Sequence, residues 1–355
     1  MTPGEGRELF PALARIVYLN AGTFGPLAAP TVDAMQAELA REAAEGRSGM
    51  PYFLRVLDLR EQVRAALARL VGVPSDNLAL TSSTTDGCNI VLSGIGLTSA
   101  DEVITTTEEH FGLLGPLRTC GARVVMVAPE PEAILAAITP RTRLLAVSQV
   151  LWTSGRVLPV VELRHQTGIR VLVDGAQSVG AIPVDARGMD FLTVSGQKWL
   201  CGPDSTGALV VADPELLRVS APSYFSQASY DAEGVFEPRP GAARFDPAWW
   251  SASSLAGLLA ALEVRPEWAF GRAMEIADLC RRLVGESGLE VVIPPVRSTL
   301  VAFRPTAEDP ATLVERLRSE GIHVREIPKT GLVRISCGWW TNEEDLERLV
   351  GSVAS

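Results

Sequence analysis

The chain has 355 residues, more than one small compact core accommodates, so two domains or one large domain with an appendage are expected. Apolar residues make up 47% and charged residues 21%, which excludes a largely disordered chain, and no stretch approaches the ~18 uncharged apolar residues of a membrane span. The formal net charge of −10 excludes a surface that attracts nucleic acid or anionic membrane, while local positive charge can still bind phosphate inside a site.

In chain order, Met1 to Gly6 are mostly small or polar and are expected to be disordered, as are Gly351 to Ser355. The opening MTPGEGRELFPALARIVYL has charges and prolines where a secretory signal needs an apolar core, so a cytoplasmic location is expected. Leu57 to Leu70 has apolar residues spaced by three and four, which predicts a helix. Short apolar runs rich in Val, Ile, Leu and Thr then predict strands at Leu78 to Thr81, Glu102 to Thr105, Arg123 to Val127, Leu144 to Ser148, Arg170 to Val173, Phe191 to Val194 and Ala208 to Val211. Helical patterns lie between several of them, Pro131 to Ile138 among them. This alternation predicts an α/β fold, a three-layer sandwich with a mainly parallel seven-stranded sheet. Gly94-Ile95-Gly96 is no dinucleotide loop, because the third glycine is missing and the segment follows a helix pattern.

Ser220 to Pro247 has no clean period and reads as an irregular connection. Helix returns at Ser253 to Val264. The remaining residues predict a helix (Arg272 to Gly285), a strand (Ser298 to Arg304), a helix (Pro310 to Glu320), two strands (His323 to Ile327 and Gly331 to Ser336) and a helix from Asn342. This is a smaller C-terminal α+β domain. The expected division is residues 1–17 packing on the small domain, 18–264 as the large domain and 265–355 as the small one. The five cysteines are odd in number and lack metal or redox spacing, so free thiols are expected; with only three histidines, no metal site is expected.

Reactive groups collect at the carboxyl ends of strands in such sheets. Here four strand ends carry polar clusters: Ser82 to Gly87, Glu108-Glu109-His110, Asp174 to Gln177, and Ser195-Gly196-Gln197-Lys198. Singly, each reads as a cap or a solvated turn. Together they match the needs of pyridoxal 5′-phosphate (PLP): a lysine amine for a Schiff base, a carboxylate at the pyridine nitrogen, a helix N-terminus for the phosphate and a planar group over the ring. Lys198, Asp174, the Ser83-Thr84-Thr85 turn and His110 answer those needs in that order.

On these residues the sequence resembles the class V aminotransferase family, in the branch of cysteine desulfurases, selenocysteine lyase and isopenicillin N epimerase. The resemblance rests on YLNAGTFGP (18–26), LTSSTTDGCNIV (80–91), TEEH (107–110), VDGAQSVG (173–180), SGQKWLCGP (195–203), RFDPAWWSASSLAGLLAAL (244–262) and VRISCGWWTNEEDLERLV (333–350). It implies fold type I and chemistry at Cα of a small amino acid through an external aldimine. It implies Lys198 as Schiff-base lysine and proton shuttle, Asp174 at the ring nitrogen, Gln177 at the ring oxygen, His110 stacked on the ring, and Thr84, Thr85, Ser195 and Gln197 at the phosphate. Arg334 would clamp the substrate α-carboxylate. Phe24, Trp152, Trp249 and Trp250 give apolar surroundings, with Phe24 and Trp152 at the substrate, and suggest a substrate with an apolar or bulky side chain. A homodimer with sites at the interface is implied too.

Four positions depart from the family's pattern. Gln197 and Trp152 stand where many members have His and Asn. Trp249, in the loop Pro247 to Ser251, replaces the Thr that reaches the partner subunit's phosphate, though Ser251 is a substitute. No Cys lies between Val324 and Leu332, where desulfurases carry their nucleophile; Cys201 and Cys337 read as packed thiols. Transamination, β-elimination of the C–S lyase type and epimerisation all stay open, as does desulfuration with sulfur passed to a protein partner.

Overall fold

The computed structural model describes residues 1–247 and 249–353. Ala248 of the Pro247 to Ser251 loop, and Ala354 and Ser355 of the tail, lie outside the described residues. In chain order the strands are β1 (Val17–Tyr18), β2 (Leu78–Thr81), β3 (Glu102–Thr106), β4 (Arg123–Val127), β5 (Thr142–Ser148), β6 (Arg170–Asp174), β7 (Phe191–Ser195), β8 (Gly207–Val211), β9 (Gln227–Tyr230), β10 (Phe236–Pro238), β11 (Glu290–Val292), β12 (Leu300–Arg304), β13 (Ile322–His323), β14 (Arg325–Ile327) and β15 (Leu332–Ser336). The helices are α1 (Pro3–Glu8), α2 (Ala29–Glu45), α3 (Gly49–Val71), α4 (Thr84–Gly94), α5 (Phe111–Thr119), α6 (Pro131–Ala136), α7 (Val160–Thr167), α8 (Ala252–Glu263), α9 (Ala269–Glu286), α10 (Pro310–Ser319) and α11 (Glu343–Val353).

Seven strands form the central sheet in the order β2-β8-β7-β6-β5-β3-β4. Only β8 runs against its neighbours, pairing antiparallel with β2 and β7; the other pairs are parallel. The carboxyl ends of β2, β7, β6, β5 and β3 therefore share one edge. Successive side chains point to opposite faces, and each face meets its own helices. Leu78, Leu80, Val171, Val173, Leu192 and Val194 pack with α3 and α8 residues such as Val63, Leu67, Leu255 and Leu258. Ala79, Leu172, Phe191 and Leu209 pack with Cys88 and Val91 of α4 and Leu113 and Leu117 of α5. Burial on both faces explains why the strands read as nearly unbroken apolar runs.

A second, antiparallel sheet has the order β11-β12-β15-β14. Its apolar face closes on α9, α10 and α11. The N-terminal segment joins the same body: Arg7 donates to Asp345 at 2.7 Å and to the Trp340 carbonyl at 2.8 Å, Phe10 packs on Trp339 and Trp340, and β1 pairs with β13.

Three expectations are corrected, and the first concerns the tail read as disordered: Gly351 to Val353 continue α11. Residues 3–8 are helical rather than disordered, because Thr2 and Glu5 close a reciprocal capping box over Pro3 at the first position. The stretch read as irregular between Ser220 and Pro247 holds the β9–β10 hairpin and a 3₁₀ turn at Gly241–Phe245. Among the described residues no helix is long and apolar enough to cross a membrane.

Candidate active site

The strand-end clusters meet on one edge of the central sheet. β7 ends at Ser195, which lies opposite Gly207 of β8, and a Cβ on Gly207 would sit 3.3 Å from the Ser83 backbone. Ser83 is the N-cap of α4 and accepts from the Asp86 N–H at 3.1 Å. That leaves the Thr84 and Thr85 N–H groups without a hydrogen bond among the described residues, a free helix N-terminus suited to an anion. Ser195 Oγ donates to Gln197 Oε1 at 2.8 Å, which turns the Gln197 amide NH₂ away to donate elsewhere.

Beside this anion cradle lies a cavity of about 210 Å³ lined by Gly22, Thr23, Phe24, His110, Trp152, Gln177, Gln197, Lys198, Arg325 and Arg334. Seven of the residues singled out in the sequence thus share one cavity. Asp174 is not among the lining residues; it is 3% exposed, accepts from the Ala176 N–H at 2.8 Å, and its charge acts on Lys198. Ser83, Thr84, Thr85 and Ser195 lie to the side, at the strand ends described above. A larger cavity of about 610 Å³, between α7 and the Pro295 loop, contains none of these residues.

The Lys198 side chain forms no hydrogen bond or ion pair among the described residues, and burial lowers its pKa to about 8, against the opposing pull of Asp174. A substantial neutral, nucleophilic fraction at neutral pH follows. His110 caps α5, its Nδ1 accepting from the Gly112 N–H at 3.1 Å, and its ring meets Trp152 edge-on at 5.0 Å. Partial burial and the neighbouring Lys198 charge lower its pKa, so the imidazole is neutral. Gln177 is held at both ends of its amide, donating to the Gly22 carbonyl at 2.8 Å and accepting from Trp199 Nε1 at 3.0 Å.

Arg334 is 2% exposed and donates through Nη1 to the Trp152 carbonyl at 2.8 Å, while its buried Nε has no partner. Burial lowers its pKa to about 9, so it stays charged at neutral pH. Gly22 leaves the space this guanidinium uses: a Cβ there would sit 2.7 Å from Nη2 and 2.9 Å from Gln177 Oε1. Arg325 was missed in the sequence. It is the register partner of Arg334 across β14–β15, lines the same cavity, and its side chain has no hydrogen bond or ion pair among the described residues. The strands close on a four-residue turn, Pro328 to Gly331, one residue longer than the predicted one, and each arginine lies three residues from it, which sets them opposite one another.

The loop residues fall differently. Trp249 packs on Tyr52 and Phe225, and Ser251 spends its hydroxyl as the N-cap of α8, accepting from the Ser254 N–H at 3.0 Å. Cys201 and Cys337 are buried, and neither lines the cavity. A free amine, a buried carboxylate, unpartnered N–H donors at a helix start, an orphaned guanidinium Nε and a glycine cradle together fit PLP and a carboxylate-bearing substrate.

Comparison with known proteins agrees. Residues 16–349 match the family model described as aminotransferase class-V. The chain is 32% identical to isopenicillin N epimerase of Streptomyces clavuligerus, over 95% of this chain and 94% of that one. Among solved structures, it superposes with a TM-score of 0.92 on a lysine-to-alanine variant of C-DES with glycine covalently linked to the PLP cofactor, at 26% identity over 98% of this chain and 99% of that one. The complex of the cystine C–S lyase C-DES with its reaction product cysteine persulfide superposes with a TM-score of 0.90 at 27% identity, again over 98% and 99% of the two chains.

Proposed function

Because this chain belongs to the class V aminotransferase family of PLP-dependent enzymes, we propose that it is a C–S lyase whose substrate is a small amino acid carrying a second anionic group, as cystine does. One observation carries this reading: Arg325 and Arg334 face one cavity from paired strands, and neither has a carboxylate partner among the described residues. Two guanidinium groups held together in a half-buried site repel each other unless anions are brought to them.

In this reading the Thr84 and Thr85 N–H groups, Ser83, Ser195 and Gln197 hold the PLP phosphate, Asp174 accepts from the ring nitrogen, Gln177 reaches the ring oxygen and His110 covers the ring. PLP bound there serves as the electron sink for Cα of the substrate. Arg334 fixes the α-carboxylate and Arg325 the distal one, so the Cα–H bond has one orientation relative to Lys198. Lys198 Nζ takes that proton, and the β-sulfur leaves with its bonding electrons. Phe24 and Trp152 keep water from the reacting carbon.

The absence of a thiol from the cavity lining supports elimination over desulfuration. Burial pushes the pKa of Cys88 and Cys201 up, and the hydrogen bond to Cys280 together with burial does the same to Cys337, so none is poised as a thiolate. The same reading includes a homodimer in the cytoplasm, with domains at 18–264 and 265–355 and the segment 1–17 on the latter. Free cysteines fit a reducing compartment. Exposed Phe24 and Leu27 line an opening beside Gln197 that a second copy would cover.

The test compares cystine with an S-alkyl cysteine, which has one carboxylate. Arg325→Gln should lower kcat/KM for cystine by about 10- to 100-fold, the worth of a charge-assisted hydrogen bond, and change S-alkyl cysteine cleavage little. Arg334→Gln should lower both. Equal behaviour of the two substrates in Arg325→Gln, or production of a keto acid with no sulfur release, counts against the reading.

A further inference from the structure

A second buried carboxyl lies next to Asp174, and the steps above do not use it. Glu109 sits in the turn between β3 and α5, one residue before His110, and is 5% exposed. Two strand ends converge on it. Thr106 Oγ1, closing β3, donates to Oε1 at 2.7 Å. Ser148, closing β5, donates its N–H to Oε1 and Oε2 at 3.1 and 3.0 Å and its hydroxyl to Oε2 at 2.5 Å. Ser148 is in turn the register partner of Asp174 in β6. Among the described residues no Lys, Arg or His forms an ion pair with Glu109; the titratable groups that act on it or feel it are Asp174 on β6 and the Cys88 thiol on α4.

We propose that Glu109 is a positioning residue that acts through Ser148 on Asp174 and sets how tightly the Asp174 carboxylate holds the proton on the PLP ring nitrogen. The inference rests on the reading of Asp174 given above. A lone carboxyl without a cation, so close to another, is costly to ionise. Burial pushes the pKa of Glu109 up to about 7, and the Asp174 charge adds to that push. Below that pH the site holds one negative charge beside the ring nitrogen; above it the site holds two, and a protonated ring is bound more tightly. Ser148 stands between the pair: it bonds Glu109 through its N–H and hydroxyl, which favours the ionised form, and it lies in register with Asp174 on the neighbouring strand.

The experiment measures the dissociation constant of PLP for the wild type and for Glu109→Gln at about pH 6 and about pH 8.5, with the pyridine ¹⁵N resonance of labelled PLP followed between them. Gln is isosteric and neutral, so it mimics protonated Glu. The two proteins should bind PLP alike at the lower pH, and Glu109→Gln should bind about tenfold more weakly at the higher one, the effect of one pKa unit of coupling. The ¹⁵N inflection near pH 7 should vanish in the variant. A ratio that does not change with pH overturns the inference. If Glu109→Gln does not fold, Ser148→Ala decides: losing the hydroxyl bond should move the inflection to higher pH, and an unmoved inflection overturns the inference. Asp174→Ala separates the two readings. If it binds PLP as tightly as wild type, the assignment of Asp174 has failed; if it binds weakly while Glu109→Gln is indifferent to pH, only the present inference has.

Discussion

Lys198→Ala should keep its fold and lose at least about 10⁴-fold in kcat/KM, because in the proposed mechanism one amine both attaches the cofactor and moves the Cα proton. The side chain makes no hydrogen bond or ion pair among the described residues, so its removal costs the native state little packing and no polar partner. Circular dichroism should be unchanged, and the visible absorbance of the loaded enzyme should be lost or displaced. Residual turnover within about tenfold of wild type would show that another group moves the proton. The chain has one other lysine, Lys329, exposed in the β14–β15 turn with φ 65°, so no second amine is at hand to take over.

The largest effect on stability is expected at Asp246. Its carboxylate is fully buried and pairs with Arg60 at 2.7 Å and Arg64 at 2.8 Å, both on α3, while Oδ1 accepts from the Leu80 N–H of β2 at 2.8 Å. Arg60 also lies over the Phe225 ring, 4.1 Å from its centroid. This single anion therefore joins α3, the first strand of the central sheet and the start of the loop carrying Trp249. Asp246→Ala leaves two guanidinium groups buried without it, and breaking such a network by removing one partner costs about 3–5 kcal/mol. The urea midpoint should fall by that free energy divided by the unfolding slope, with the slope itself unchanged. A loss below about 1 kcal/mol would mean that water or another group reaches the two arginines.

Much of the site was legible because PLP chemistry is written at strand ends. Lys198, Asp174 and His110 each follow a short apolar run within a few residues, so local pattern and topology suffice to bring them to one edge. Arg325 was not legible by that route. Its meaning comes from its register with Arg334 across a hairpin, a pairing that composition hides and that only the turn position reveals. Glu109 reads in TEEH as one of two adjacent acids; only the close approach of β3, β5 and β6 buries it. The β9–β10 hairpin escaped for a related reason. Its strands are four and three residues long, largely exposed, of mixed polar and apolar residues, and one ends in proline, so they are too short to show a period or an apolar run. Trp152 serves core and pocket at once: it packs beside Ala302, Ile327 and Leu332 and meets the His110 ring edge to face.

The attachment point of the cofactor decides the rest. The PLP-loaded protein would be reduced with borohydride, digested and mapped by mass spectrometry. The peptide containing Lys198 should carry the reduced cofactor at close to one equivalent, with Lys329 unlabelled. A label on Lys329, or none on Lys198 in a protein that has bound PLP, would contradict the account at its base.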